Sequence, residues 1–267
     1  MVSHLNEDIP SIDWQELAEL VESGRKYDHA PIVEAILEIQ VQLPENATLE
    51  QLQHVMDGSA EYDAPTTRYN VEATISVSEE EASQLVNHVV GYAFPRKDGR
   101  RIVQAHVDRF AFSWLPPYED WESFHTEALV CWERYKEVLA PIRTTRLAVR
   151  FVNRIDVPDR FEIMDYVRTG VDVSRYLPQQ LSGYFMQIEV PLGRSLVTAR
   201  ITSALVATEQ ESPPGLVLDI DAFRLSEIEL EDAGADRTLR QHLDVLRSAK
   251  NYVFESCITD ATRRLIS

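Results

Sequence analysis

Asp219 and Asp221 flank Ile220 two residues apart, so on a strand they share one face. Paired carboxylates can divide general acid and base roles or hold a divalent ion. His106 and Asp108 have the same spacing, as a ligand pair would. Asp219, Asp221 and His106 are thus the candidate catalytic residues of a metal-dependent hydrolase or nuclease. The plainer reading is an outward carboxylate face without metal, plus a structural histidine beside Phe110, Phe112 and Trp114 on one long strand. Glu122 and His125 stand at i and i+3 on a helix, the half-motif of di-iron bundles. A single copy reads as a surface pair. Arg146, Arg150 and Arg154 line one strand face and are the candidate binding residues. They need either acidic partners, for which Glu34 and Glu38 are available, or an anion.

Other catalytic signatures are missing. The nine glycines are nowhere closer than eight positions, so neither kind of Gly-rich phosphate cradle is encoded. Gly-x-Ser-x-Gly, His-Glu-x-x-His and paired-cysteine motifs are missing too. Cys131 and Cys257 read as small buried apolar side chains. No cofactor is expected.

The elements that must position these residues follow from periodicity. Trp14–Ser23 reads as a helix within a helical extension over 1–26. Val33 to Leu43 alternates apolar and polar residues, a strand with one wet face. Thr48 opens a short helix. Strands are expected at Tyr69–Val77, Asn87–Phe94 and Ile102–Leu115, with a hairpin at Lys97–Arg100 in which Asp98 and Gly99 both take positive φ. Glu119–Leu139 is a long helix. The order then recurs, with strand Arg146–Val157, short helix Phe161–Val167, strands Tyr184–Val190, Leu196–Thr208 and Leu216–Phe223, and a long helix from Asp236 to Ile266. Pro213-Pro214-Gly215 makes the last turn. The fold class expected is α+β: two similar halves, 27–141 and 142–267, sharing one core. Each half is strand, short helix, three antiparallel strands and long helix, with the sheet backed by helices. A two-fold relation between the halves would bring their first strands together.

The 267 residues carry a net charge of −18. Residues 1–90 hold 18 acids against 3 bases, whereas residues 91–160 hold 10 against 12. Direct binding to nucleic acid is disfavoured by this balance. The acidic third suits a solvated surface, a basic protein partner or nucleic-acid mimicry. No apolar run approaches bilayer length, and the first residues lack the basic flank of a signal peptide, so a cytoplasmic location is expected.

Several stretches together resemble a sporadically distributed family of uncharacterised prokaryotic proteins. They are Tyr27-Asp28-His29-Ala30-Pro31-Ile32-Val33-Glu34-Ala35, Asp108-Arg109-Phe110-Ala111-Phe112 running into Pro117-Tyr118-Glu119-Asp120-Trp121, and Arg150-Phe151-Val152-Asn153-Arg154-Ile155. Leu218 to Asp221 and Phe254 to Thr259 match its later segments. The resemblance covers roughly residues 27–260 and implies no catalytic residue. Its patchy distribution implies an accessory gene of a defence or toxin–antitoxin locus. The function expected is a non-enzymatic protein-binding accessory factor, with a chaperone-like homo-oligomer as one form. The metal-dependent enzyme and the acidic nucleic-acid mimic are the alternatives.

Overall fold

The structure is a computed structural model that describes residues 26–73, 85–158, 160–179, 181, 183–206 and 214–267. The helix expected at Trp14–Ser23, the extension over 1–25, the end of the strand expected to Val77, and Thr208 and Pro213 lie outside the described residues. The fold is α+β. Nine strands form one sheet in the order β2-β3-β4-β5-β1-β6-β9-β8-β7. The ladders β2/β3, β3/β4, β4/β5, β7/β8 and β8/β9 are antiparallel. Two compact units divide the described residues: one comprises residues 37–146 and 227–235, the other residues 26–36 with the described residues of 147–226 and 236–267.

In the first unit, β1 (Ile32–Gln42) buries Leu37, Ile39 and Val41 and leaves Glu38 and Gln40 half-exposed, as its alternation dictates. The short helix α1 (Leu49–Leu52) opens at Thr48, whose N–H donates to Gln51 Oε1 at 2.8 Å. β2 (Thr66–Ala73) and β3 (Leu85–Pro95) follow. Gly91 on β3 is required by close approach to β4, since a Cβ there would lie 2.2 Å from the Ala105 carbonyl oxygen. At the following turn only Gly99 takes positive φ, +69°. Asp98 stays on the ordinary side, and its carboxylate accepts from the Arg100 N–H at 2.8 Å. The expectation of positive φ at both residues is therefore corrected.

The strand expected over Ile102–Leu115 is two strands, β4 (Arg101–His106) and β5 (Arg109–Trp114), folded back at Val107-Asp108. Four strands thus follow α1 rather than three. Arg101, Val103 and Ala105 pair with Trp114, Phe112 and Phe110 and share their face. The helix α2 (Trp121–Leu139) covers that face. Asp120 caps it by accepting from the Ser123 N–H at 2.8 Å. Phe110 meets Trp132 and Tyr135 with ring centroids 5.6 and 5.8 Å apart, and Phe112 meets Phe124 at 5.7 Å. These aromatic pairs are the centre of the unit's core.

The second unit holds most of β6 (Arg143–Asp156), then α3 (Ile163–Tyr166), β7 (Phe185–Pro191), a 3₁₀ turn at Gly193–Ser195, β8 (Thr198–Val206) and β9 (Gly215–Leu225). The helix α4 (Ala235–Cys257) presents Leu239, Leu243, Leu246, Ala249 and Val253, spaced by three and four, all buried. Leu147, Val149 and Phe151 of β6 and Leu216, Leu218 and Ile220 of β9 are buried as well. The helix expected to run to Ile266 stops at Cys257 and restarts as α5 (Asp260–Ile266). The break has a tertiary cause. The Thr259 N–H donates to the Tyr166 carbonyl at 3.1 Å, and the Arg168 N–H to the Cys257 carbonyl at 2.7 Å. Both cysteines are free and buried. Among the described residues, no helix is long and apolar enough to cross a membrane.

Candidate functional site

Register decides what each candidate side chain meets. Asp219 and Asp221 do share a face of β9, and across it on β8 stand Thr202 and Arg200. Across β8, on β7, stand Gln187 and Glu189. Asp219 and Asp221 are only 9% and 7% exposed, which corrects the outward face expected of them. Burying carboxylates demands compensation, and arginines provide it. Arg150 on β6 forks onto Asp219, with Nε to Oδ1 at 2.8 Å and Nη2 to Oδ2 at 2.6 Å. Arg200 donates through Nε to Glu189 Oε1 at 2.8 Å, and its Nη1 lies 3.5 Å from Asp221 Oδ2. These hydrogen bonds to Asp219, followed by the Asp219 and Asp221 charges, hold the Arg150 guanidinium firmly protonated against its partial burial. The result is a row of alternating charge across four strands.

The other two arginines are placed differently. Arg146 donates to Glu38 Oε1 at 2.6 Å, and the same oxygen accepts from Gln40 Nε2 at 3.0 Å. Arg154 donates to Asp156 at 2.9 Å and lies over Gly215 of β9, where a Cβ would come within 2.9 Å of its Nε. The three share a strand but have three separate acidic partners, a division that their common face did not reveal.

The arrangement at Asp219 is a fixed ion pair. Both Asp219 oxygens are hydrogen-bonded. Among the described residues, no group of three or more His, Cys, Asp and Glu side chains is arranged to hold a metal ion. His106 belongs to the other unit. It ends β4 opposite Gly91, on the face away from Phe110, Phe112 and Trp114, because the fold-back at Val107 reverses the register. Asp108 lies in that turn and not on a strand, so the expected ligand pair on one strand is not formed. Burial, aided by Arg109, lowers the His106 pKa and keeps the ring neutral at pH 7. His125 is buried and stacked on Trp121 at 5.2 Å, which corrects the surface pair expected with Glu122.

A feature that residue types alone did not disclose is the outer edge of β7, the last strand in the sheet order. The Leu192 N–H donates to Val197, and the Leu205 N–H to Tyr184, so the even-numbered residues of β7 bond to β8. By alternation, the backbone groups of Phe185, Gln187 and Glu189 point outward, where no strand among the described residues pairs with them. Pro191, which has no N–H, occupies the next outward position. The available signal was the alternation Phe185-Met186-Gln187-Ile188-Glu189-Val190 closed by a proline. Compared with known proteins, the chain matches no protein-family model, and no match is found among curated proteins.

Proposed function

We propose that this chain is a non-enzymatic protein-binding factor that engages its partner by strand addition at β7. The observation that supports this reading is the outward edge formed by Phe185, Gln187 and Glu189. Three consecutive outward residues offer three N–H donors and three carbonyl acceptors to an incoming strand. Phe185 is 70% exposed beside them, an apolar contact for such a strand. The buried carboxylates support the same reading, because their arginine forks suit a rigid charged surface better than a reaction centre. An accessory role in a defence or toxin–antitoxin locus agrees with the family resemblance, and a chaperone-like oligomer would use the same edge. The test is affinity capture of the full chain from its native host followed by mass spectrometry. A stoichiometric protein partner is expected, and an empty bait overturns the reading.

The two halves are further proposed to be an internal duplication. The order β1-β5-β4-β3 outward from one central strand parallels β6-β9-β8-β7 outward from the other, with β2 as an addition. Superposition of β1 and β3–β5 on β6 and β7–β9 in a crystal structure is the check. Opposite connection handedness would remove the idea.

A further inference from the structure

Three basic side chains stand in one row of the first unit. Arg68 of β2 lies opposite Gly91 of β3, and Gly91 lies opposite His106 of β4. Ala105 pairs with Phe110, so His106 and Arg109 are the next pair, flanking the turn at Val107-Asp108. Cross-strand partners share a face. Arg68, His106 and Arg109 therefore converge on the face away from α2, all within residues 37–146. Strands are spaced by about 4.8 Å, so Arg68 and His106 stand roughly 10 Å apart at the backbone. Between them the row contributes only a glycine, and no side chain.

The charges of this row are poorly compensated. Among the described residues, neither Arg68 nor Arg109 forms an ion pair. The acids that act on His106 are Asp108 in the turn and Glu38 of β1. Glu38 already accepts from Arg146 and Gln40. His106 is only 6% exposed, and its Nδ1 is buried without a hydrogen-bond partner. A histidine that serves only the fold is ordinarily hydrogen-bonded when buried. Here burial, then Arg109 and Arg68, press the ring toward neutrality, and Asp108 and Glu38 oppose them. An anion received beside the arginines would relieve all three groups at once.

We infer that Arg68, His106 and Arg109 bind a phosphoryl group, as free phosphate or a small phosphate monoester, between the two guanidiniums and against the imidazole. Donor number chooses the ligand class. A carboxylate has two oxygens, which a single guanidinium fork occupies. A phosphoryl group brings three acceptor oxygens and nearly two negative charges, enough for two arginines and a protonated imidazole. Arg68 is exposed and can close over a ligand, whereas His106 is fixed beneath. This site shares no residue with the β7 edge, so it stands or falls apart from the protein-binding reading.

The probes are inorganic phosphate, phenyl phosphate and sulfate, each titrated into the full chain by calorimetry. Saturable binding is expected, weakened at least about tenfold in Arg109→Gln and in Arg68→Gln. Sulfate stays a dianion at every working pH, so its pH profile reports the protein alone. Its affinity should fall as pH rises from about 6 to 8, because the bound ring holds a proton that the free ring lacks. His106→Gln can donate but cannot titrate, and should bind sulfate without that dependence. Circular dichroism and urea unfolding establish that each variant folds. The exposed position of Arg68 keeps the test decisive should His106→Gln unfold. No saturable binding of any probe, or affinity unchanged in both arginine variants, overturns the inference. The same sulfate pH profile in wild type and His106→Gln overturns the role given to the imidazole. Binding of a single-stranded oligonucleotide without any small probe overturns the inference in favour of a nucleic-acid backbone. Phenyl phosphate bound more tightly than phosphate supports an ester as the ligand, and equal affinities support the free ion.

Discussion

Arg150 grips Asp219 through one guanidinium edge, Nε and Nη2, at 2.8 and 2.6 Å, and the two residues differ sharply in exposure: 46% of the arginine side chain is accessible but only 12% of the aspartate. The asymmetry makes the two truncations unequal. Arg150→Ala leaves a buried carboxylate without its fork and should cost about 2–3 kcal/mol in urea unfolding. Asp219→Ala releases an arginine that can return to water and should cost about 1–2 kcal/mol. The double variant should show a coupling of roughly 1–3 kcal/mol. Purely additive effects would mean that the fork is not formed in solution.

Titration calorimetry with Mg²⁺, Mn²⁺ and Zn²⁺ should give no saturable heat attributable to Asp219 and Asp221. The reason is occupancy, since both Asp219 oxygens already accept from Arg150. Binding that disappears in Asp221→Ala would refute this and restore the metal-dependent hydrolase.

Gly91→Ala should be among the most damaging substitutions available. Its Cβ would meet the Ala105 carbonyl carbon at 3.0 Å as well as the oxygen at 2.2 Å, and both are backbone atoms that cannot swing aside. Overpacking of this kind costs about 1–3 kcal/mol or more. Gly99→Ala, whose Cβ would enter open space, suffers only from its φ of +69° and should cost less. Thermal unfolding of the two variants side by side checks the ranking.

Lys250 supplies a pH test. Its Nζ sits 3.7 Å from the centroid of the Phe151 ring, whose face favours a cation. Burial outweighs this and, with the Arg247 charge next, lowers the pKa to about 7. Between that value and the ordinary lysine range near 10.5, the unfolded chain binds more protons than the folded one. Stability from this group therefore rises as pH increases from about 7 to 10 and is flat below 7. Lys250→Met should stabilise the protein on the order of 1–3 kcal/mol at pH 6–7 and by little at pH 10. An equal effect at both pH values would show that the ammonium is not desolvated.

Local signals carried much of the fold. The alternation from Val33 to Leu43, the Asp120 cap before Trp121, and the Asp98-Gly99 turn each encode their element within a few residues. The hairpin at Val107-Asp108 has no glycine, proline or asparagine to announce it, so β4 and β5 read as one strand and His106 was assigned to the wrong face. The break after Cys257 was equally silent, because its cause is a hydrogen bond to Tyr166 from far along the chain. Pairing partners for the arginines were legible only where an acid lay on an already recognised wet face. Glu38 qualified. Asp219 was read on an outward face as well, but its contact with Arg150 depends on which strands become neighbours, and strand order is not written in periodicity.

Pro191 has a further consequence. An unpaired strand edge is a template on which other chains can stack without limit, the hazard behind fibrillar aggregation. Here the template runs out after Glu189, because the next outward position has no proton to give. A short visiting strand can be held, but a growing ladder meets a missing rung at one end. Glu189, charged and tied to Arg200, makes the last usable position unattractive to apolar segments. The same few residues that leave the edge of β7 without a paired strand among the described residues thus keep it from propagating into a polymer.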